Sequence, residues 1–92
     1  MKDSSAWTRL TEAVAALNTP AEVETFLSEL LTPGERHDIR LRWDLLERLV
    51  CGTPQRKIAA DLGVSLCKIT RGARILKAEG SVVARALGKE SS

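Results

Sequence analysis

The chain has 92 residues, of which 43% are apolar and 28% charged, and its formal net charge is only +2. We expect one small domain over residues 1–92, and the apolar fraction excludes wholesale disorder. The near balance of charge argues against a strongly basic nucleic-acid coat, and an aromatic content of 3% excludes a base-stacking surface for single strands. The sequence has no apolar run long enough to span a membrane and no signal-peptide pattern. We expect its two cysteines to be reduced. These features predict a cytoplasmic protein that does not enter membranes.

Threonine–proline pairs and glycines divide the chain into about six helices. Thr19, Thr32 and Thr53 each precede a proline, and threonine caps a helix while proline suits its first position. The first two pairs have a glutamate three residues after the threonine, which predicts capping boxes. No segment alternates with period two, so we predict an all-α fold without a sheet. The predicted helices, each ended by a glycine or a turn, span residues 5–17, 20–31, 33–51, 54–61, 65–78 and 81–87.

The small net charge hides a gradient along the chain. Residues 1–33 carry a charge of −3, residues 34–63 carry +1 and residues 64–92 carry +4. Such an asymmetry favours an anionic partner for the C-terminal half, although a solvated surface would have the same charges.

The third predicted helix is unusually apolar. On a helical wheel its apolar side chains cover a sector of about 200°, whereas a surface helix of a monomer needs a stripe of about 100°. We therefore predict that residues 5–51 form dimerisation helices and that the chain is a homodimer.

Arg42 lies inside this apolar sector. It could pair with Asp38 one turn earlier, or extend its charge to the edge of the apolar surface. Alternatively, it could line a pocket and contact a ligand.

Residues 54–78 have the pattern of a helix-turn-helix unit. A short helix ends at Gly63, and a second helix begins after Ser65, a favourable capping residue. Between Pro54 and Lys77 there are six basic residues and one acidic residue, which suits the major groove of DNA. A helical hairpin used only for packing is the alternative. The predicted core of the unit consists of Ile58, Leu62, Val64 and Ile69.

Ile75 is an apolar residue that lies, unlike its neighbours on the wheel, in the polar half of the second motif helix. This side chain would be either a dimer contact or the wall of a pocket. The last predicted helix, 81–87, follows the unit.

These residues resemble the tryptophan repressor family over Leu31 to Ala78, about half of the chain. The shared features begin with the Leu-Thr-Pro-Gly-Glu-Arg string at 31–36 and continue through Arg42. The most specific part is the Ile-Thr-Arg-Gly string at 69–72, in the second motif helix.

The resemblance implies an intertwined homodimer of six-helix chains that binds double-stranded operator DNA when L-tryptophan fills a pocket. Arg42 and Arg71 would sandwich the indole, and Arg71 with Thr32 would meet the carboxylate. Gly72 would allow close approach of the ligand. L-tryptophan would act as a corepressor, with no other cofactor and no metal.

The ammonium group of the ligand would bind backbone carbonyls around Glu29 to Leu31 of the partner chain, including those of Leu30 and Leu31, where a helix C-terminus attracts a cation. Ile75 stands where well-known family members have a serine that helps to bind this group.

For DNA, the family analogy predicts a guanine contact from Arg56 and mainly phosphate or groove-edge contacts from the other residues. Lys68 and Arg74 stand at positions that are usually uncharged in the family, so the operator sequence does not carry over. The predicted DNA-facing residues are Gln55, Arg56, Lys57, Ser65, Leu66, Cys67, Lys68, Thr70, Arg74 and Lys77.

Other classes of function explain less of the sequence. A helix-turn-helix protein without a ligand, or with another effector, would account for residues 54–77 but not for Arg42 on an apolar face. A protein-interaction module would leave the basic face without a role. An enzyme is not expected, because His37 is the only histidine and no carboxylate pair, phosphate loop or metal-ligand spacing accompanies it.

Overall fold

The computed structural model describes residues 5–88, so residues 1–4 and 89–92 of the predicted domain lie outside the described range. Within that range the chain is all-helical, without a strand, as predicted. Each helix ends within two residues of its predicted bounds. The helices are α1 Ala6–Ala15, α2 Pro20–Leu30, α3 Pro33–Val50, α4 Gln55–Leu62, α5 Leu66–Lys77 and α6 Val82–Ala86.

These helices belong to two compact units, the first ending at Arg36 and the second beginning at His37. None of the six described helices is long and apolar enough to span a membrane.

In the first unit, side-chain caps begin the helices as the sequence predicts. Thr32 and Glu35 form a complete capping box: the Glu35 N–H donates to Thr32 Oγ1 at 3.1 Å, and the Thr32 N–H donates to Glu35 Oε1 at 2.9 Å. At α2, Thr19 Oγ1 accepts from the Glu22 N–H at 3.1 Å. The Glu22 carboxylate accepts from the N–H of Asn18 at 2.8 Å, one residue before the cap, so this second box is displaced by one residue.

The predicted cap at Thr53 is wrong. The residue before α4 is Pro54, with φ −59° and ψ 142°, and no side chain caps this helix. The backbone of Thr53 instead helps to end α3, because its N–H donates to the Arg48 carbonyl while the Gly52 N–H donates to the Leu49 carbonyl. This pair of bonds is the Schellman motif, with Gly52 in a left-handed conformation (φ 86°). Thr53 thus takes part in the end of α3 and does not cap α4.

The core of the second unit forms where α3, α4, α5 and α6 meet. Ile58 of α4 and Ile69 of α5 are completely buried, and Leu62 and Val64 pack partly buried against them. The small core predicted between the two motif helices is therefore confirmed. It continues into α3 through Leu45 and Leu46 and into α6 through Ala84, and Leu76 of α5 is buried in the same cluster.

Gly72 allows α5 to pack closely on α3. A Cβ atom at this position would lie 2.7 Å from Leu45 Cδ2 and 3.3 Å from both Leu46 Cδ2 and Leu49 Cδ1. The sequence connected Gly72 only with the approach of a ligand. In the structure, a glycine at this position leaves room for three leucines of α3.

We expect the substitution Gly72→Val to lower the free energy of unfolding by about 2 kcal/mol, because the added atoms overpack a buried contact. Chemical denaturation of the variant measures the loss. Thr70→Val is a matched control, since Thr70 is exposed on the same helix and exposed substitutions change stability by only about 0.5 kcal/mol. Equal stabilities of the two variants would contradict the packing role of Gly72.

Candidate ligand cavity and basic surface

The connection between α4 and α5 is a tight turn. Gly63 has a left-handed conformation (φ 67°, ψ 33°), and its N–H donates to the Ala59 carbonyl at 2.9 Å. Two residues later Ser65 caps α5 by accepting from the Lys68 N–H at 3.3 Å. A residue with a Cβ atom would be strained at Gly63, so this glycine helps to set the direction in which α5 leaves α4.

The ten residues predicted to face DNA are all exposed. They include Leu66, which the helical wheel groups with the buried residues Ile69 and Leu76 but which is 54% exposed. Leu66 is the first residue of α5, directly after the cap residue Ser65. α4 and α5 thus both present exposed polar and basic side chains, separated in sequence by the buried Ile58 and Ile69.

The one carboxylate between Pro54 and Lys77 is already engaged. Asp61 accepts from Arg48 Nη1 and pairs with Lys57 Nζ, both at 3.2 Å. Arg48 also pairs with Asp44 at 2.8 Å, and this hydrogen bond, with the charges of both aspartates, raises the pKa of Arg48 above its ordinary value.

The remaining basic residues of this segment form no ion pair with a carboxylate in residues 5–88. Their charge is therefore available to an anionic partner. These residues are Arg56, Lys68, Arg71, Arg74 and Lys77.

A cavity of about 100 Å³ lies between α3 and α5 in the second unit. Four of the residues predicted to bind the ligand line it: Arg42 from α3, and Arg71, Gly72 and Ile75 from α5. Of the two roles open for Ile75, the structure places this side chain in the cavity wall. The other lining residues are Asp38, Leu41, Leu45, Val64 and Lys68.

Arg42 makes no ion pair with Asp38, although both line the cavity. The intrahelical pair that the sequence left open is therefore absent between these two residues. The Arg42 side chain is exposed at the cavity, where its guanidinium can meet a planar or anionic group.

Two charged residues that line the cavity are not among those predicted from the sequence to bind the ligand. Asp38 lies one turn before Arg42, and Lys68 lies three residues before Arg71, so each shares a helix face with an arginine of the cavity. That spacing could have identified both. The sequence alone predicts Lys68 to face DNA and offers Asp38 as an ion-pair partner of Arg42.

The other three residues predicted to bind the ligand belong to the first unit. Leu30 is the last residue of α2, and it is 52% exposed. Leu31 follows as the C-cap, and Thr32 caps α3. The cap bond commits Thr32 Oγ1 as an acceptor, while its hydroxyl hydrogen can still be donated.

Neither metal-binding clusters nor disulfides occur in residues 5–88. No three side chains of histidine, cysteine, aspartate or glutamate are grouped there as a metal site. Cys51 and Cys67 are free and exposed.

Comparison with known proteins gives one family. The sequence profile described as "Trp repressor protein" matches residues 5–91. A "Trp operon repressor homolog" of Chlamydia trachomatis serovar L2 is 34% identical over 94 residues, covering 97% of this chain and 96% of that protein.

Two further relatives have the same description. The protein of Chlamydia caviae is 34% identical over 77 residues, covering 83% of this chain and 76% of the relative. That of Mannheimia succiniciproducens is 36% identical over 72 residues, covering 77% and 71% respectively. No solved structure matches the chain significantly.

Proposed function

Because the chain belongs to the Trp repressor protein family, a family of regulators rather than enzymes, we propose that it is a transcriptional repressor. It binds double-stranded operator DNA as a homodimer in the cytoplasm, with L-tryptophan as corepressor. The observation that carries the proposal is the cavity between α3 and α5. Because α5 both lines this cavity and carries exposed basic residues, a ligand in the cavity lies next to the helix that would contact DNA.

The basic surface supports DNA as the partner. α4, Gly63 and α5 are arranged in the order of a helix-turn-helix unit, whose second helix enters the major groove. Arg56 of α4 and Lys68, Arg74 and Lys77 of α5 are exposed and have no described carboxylate as a partner. They can therefore neutralise DNA phosphates or reach base edges.

The cavity supports an aromatic amino acid as the ligand. Guanidinium planes stack on aromatic rings, and Arg42 and Arg71 face the cavity from different helices. The leucines of α3 and Ile75 of α5 supply apolar walls. Such a cavity suits a ring between two cations, with the carboxylate of the ligand next to Arg71.

Ligand gating follows from the position of the cavity against α5. A molecule that fills the space between α3 and α5 fixes the orientation of α5. It favours DNA binding only to the extent that it binds more tightly to the DNA-competent orientation. In a dimer, the two α5 helices then have to match successive major grooves, about 34 Å apart.

Exposed apolar residues on α3 support the homodimer. Ile39 is 49% exposed and Trp43 is 40% exposed, one turn apart on the same helix. Leu45 and Leu46 of the same helix are buried within the second unit. A second chain would bury the apolar residues that one chain leaves in water.

The decisive experiment titrates labelled duplexes with the protein, with and without saturating L-tryptophan. The duplexes are first enriched from a random-sequence pool, because the operator sequence is not given by the family. We expect tryptophan to raise the affinity by about 1–3 kcal/mol, or five- to 150-fold. Phenylalanine is the matched control for a nonspecific amino-acid effect.

DNA binding that is unchanged by tryptophan would leave a helix-turn-helix protein with another effector or none. Binding that is absent at low salt with either amino acid would contradict the DNA-binding function itself, because phosphate contacts are strongest there.

A further inference from the structure

The cavity contains one negative charge among three positive ones. Arg42, Lys68 and Arg71 line it together with a single carboxylate, that of Asp38. Asp38 forms no ion pair with any of these cations or with another described residue. Its carboxylate is exposed, so it can accept hydrogen bonds from a bound molecule.

A ligand that fits this arrangement has to carry both signs of charge. The three cations favour a carboxylate on the ligand. A purely anionic ligand would also bring that carboxylate close to Asp38, and like charges in a partly apolar cavity repel. A ligand with an additional ammonium group avoids this repulsion and gives Asp38 a charge-assisted hydrogen bond.

We propose that Asp38 is a specificity-determining residue of the cavity, which binds the α-ammonium group of the ligand and thereby selects a free amino acid over the corresponding acid without an amino group. The inference rests on the proposed function, since it assigns a role at the same ligand site. Within the cavity it gives the ammonium group a charged partner, in addition to the partner-chain carbonyls that the family resemblance implies. Ile75 has no hydrogen-bonding atom, whereas Asp38 carries a full charge.

The matched control variant is Glu47→Gln. Glu47 lies on α3 like Asp38 but is not a lining residue of the cavity. Its carboxylate accepts from Trp43 Nε1 at 3.0 Å, and the glutamine oxygen preserves this acceptor. Like Asp38→Asn, the control therefore removes one negative charge from α3, but it changes no residue that lines the cavity.

The experiment measures calorimetric affinities of the wild type, Asp38→Asn and Glu47→Gln for two ligands. One is L-tryptophan, and the other is indole-3-propionate, in which hydrogen replaces the α-ammonium group. We expect Asp38→Asn to weaken tryptophan binding about tenfold, equivalent to about 1.4 kcal/mol. Binding of indole-3-propionate should be unchanged or tighter, and Glu47→Gln should leave both affinities unchanged.

Equal losses for the two ligands in Asp38→Asn, or no loss for tryptophan, would overturn the role of Asp38 and leave the proposed repressor function standing. If the wild type binds neither ligand, the proposed corepressor fails and the inference falls with it. Asp38 is exposed on a helix, and thermal unfolding of each variant shows whether its fold is intact.

Discussion

Replacing Arg42 by methionine is expected to weaken L-tryptophan binding about 30-fold. Arg42 lines the cavity from α3, inside an otherwise apolar sector, and forms no ion pair with a described carboxylate. A partly desolvated cation over an indole ring contributes about 2 kcal/mol, which corresponds to that loss. Methionine keeps the apolar bulk, so the charge and the planar guanidinium are the main losses.

The same variant separates ligand binding from DNA binding. Arg42 lies outside α4 and α5, which carry the predicted DNA-facing residues. The affinity for DNA without tryptophan should therefore stay at the wild-type value, while the tryptophan concentration needed for tight binding rises about 30-fold. Fluorescence titration of a labelled duplex at increasing tryptophan measures both quantities.

Arg40→Met is the control for this experiment. Arg40 lies two residues before Arg42 on α3, contacts His37 Nδ1 at 3.3 Å and does not line the cavity. The substitution changes the net charge by the same amount. If Arg40→Met and Arg42→Met have the same effect on tryptophan binding, the general charge of α3 is responsible, and Arg42 has no contact with the indole.

The helix limits were accessible from the sequence because the signals that set them are local. A threonine, a proline and a glutamate within four residues are enough for the capping box at Thr32, and its two hydrogen bonds form as expected. The failure at Thr53 has the same local origin. The Thr53 N–H belongs to the Schellman motif that ends α3, and α4 begins after Pro54 without a side-chain cap.

The composition of the cavity was accessible only in part, because it depends on how two helices pack together. A wheel of α3 or α5 shows which residues share a face, and it singled out Arg42 and Ile75 as unusual. It does not show that Asp38 and Lys68 line the same cavity from two different helices. Nor does it show that Gly72 faces three leucines, since that contact depends on the close approach of α3 and α5.

Substitutions of Arg56 and Lys77 are expected to affect DNA binding in different ways. Arg56 is exposed in the first turn of α4 and has no described carboxylate as a partner, whereas its neighbour Lys57 pairs with Asp61. Arg56 is therefore the better candidate for a bidentate contact with guanine, which contributes about 1–3 kcal/mol of discrimination. Lys77 ends α5, is exposed and has no planar donor pair, which suits a phosphate contact.

For Arg56→Ala we expect the ratio of affinities for the enriched and a scrambled duplex to fall by about five- to 150-fold. For Lys77→Ala we expect both affinities to fall equally, with the slope of log affinity against log salt reduced by about 0.9. Titrations at several salt concentrations measure both effects, with Arg9→Ala on α1 as a control for the loss of one positive charge. A loss for Arg56→Ala that is equal on both duplexes would make Arg56 another phosphate contact, and sequence recognition would then have to come from the exposed residues of α5.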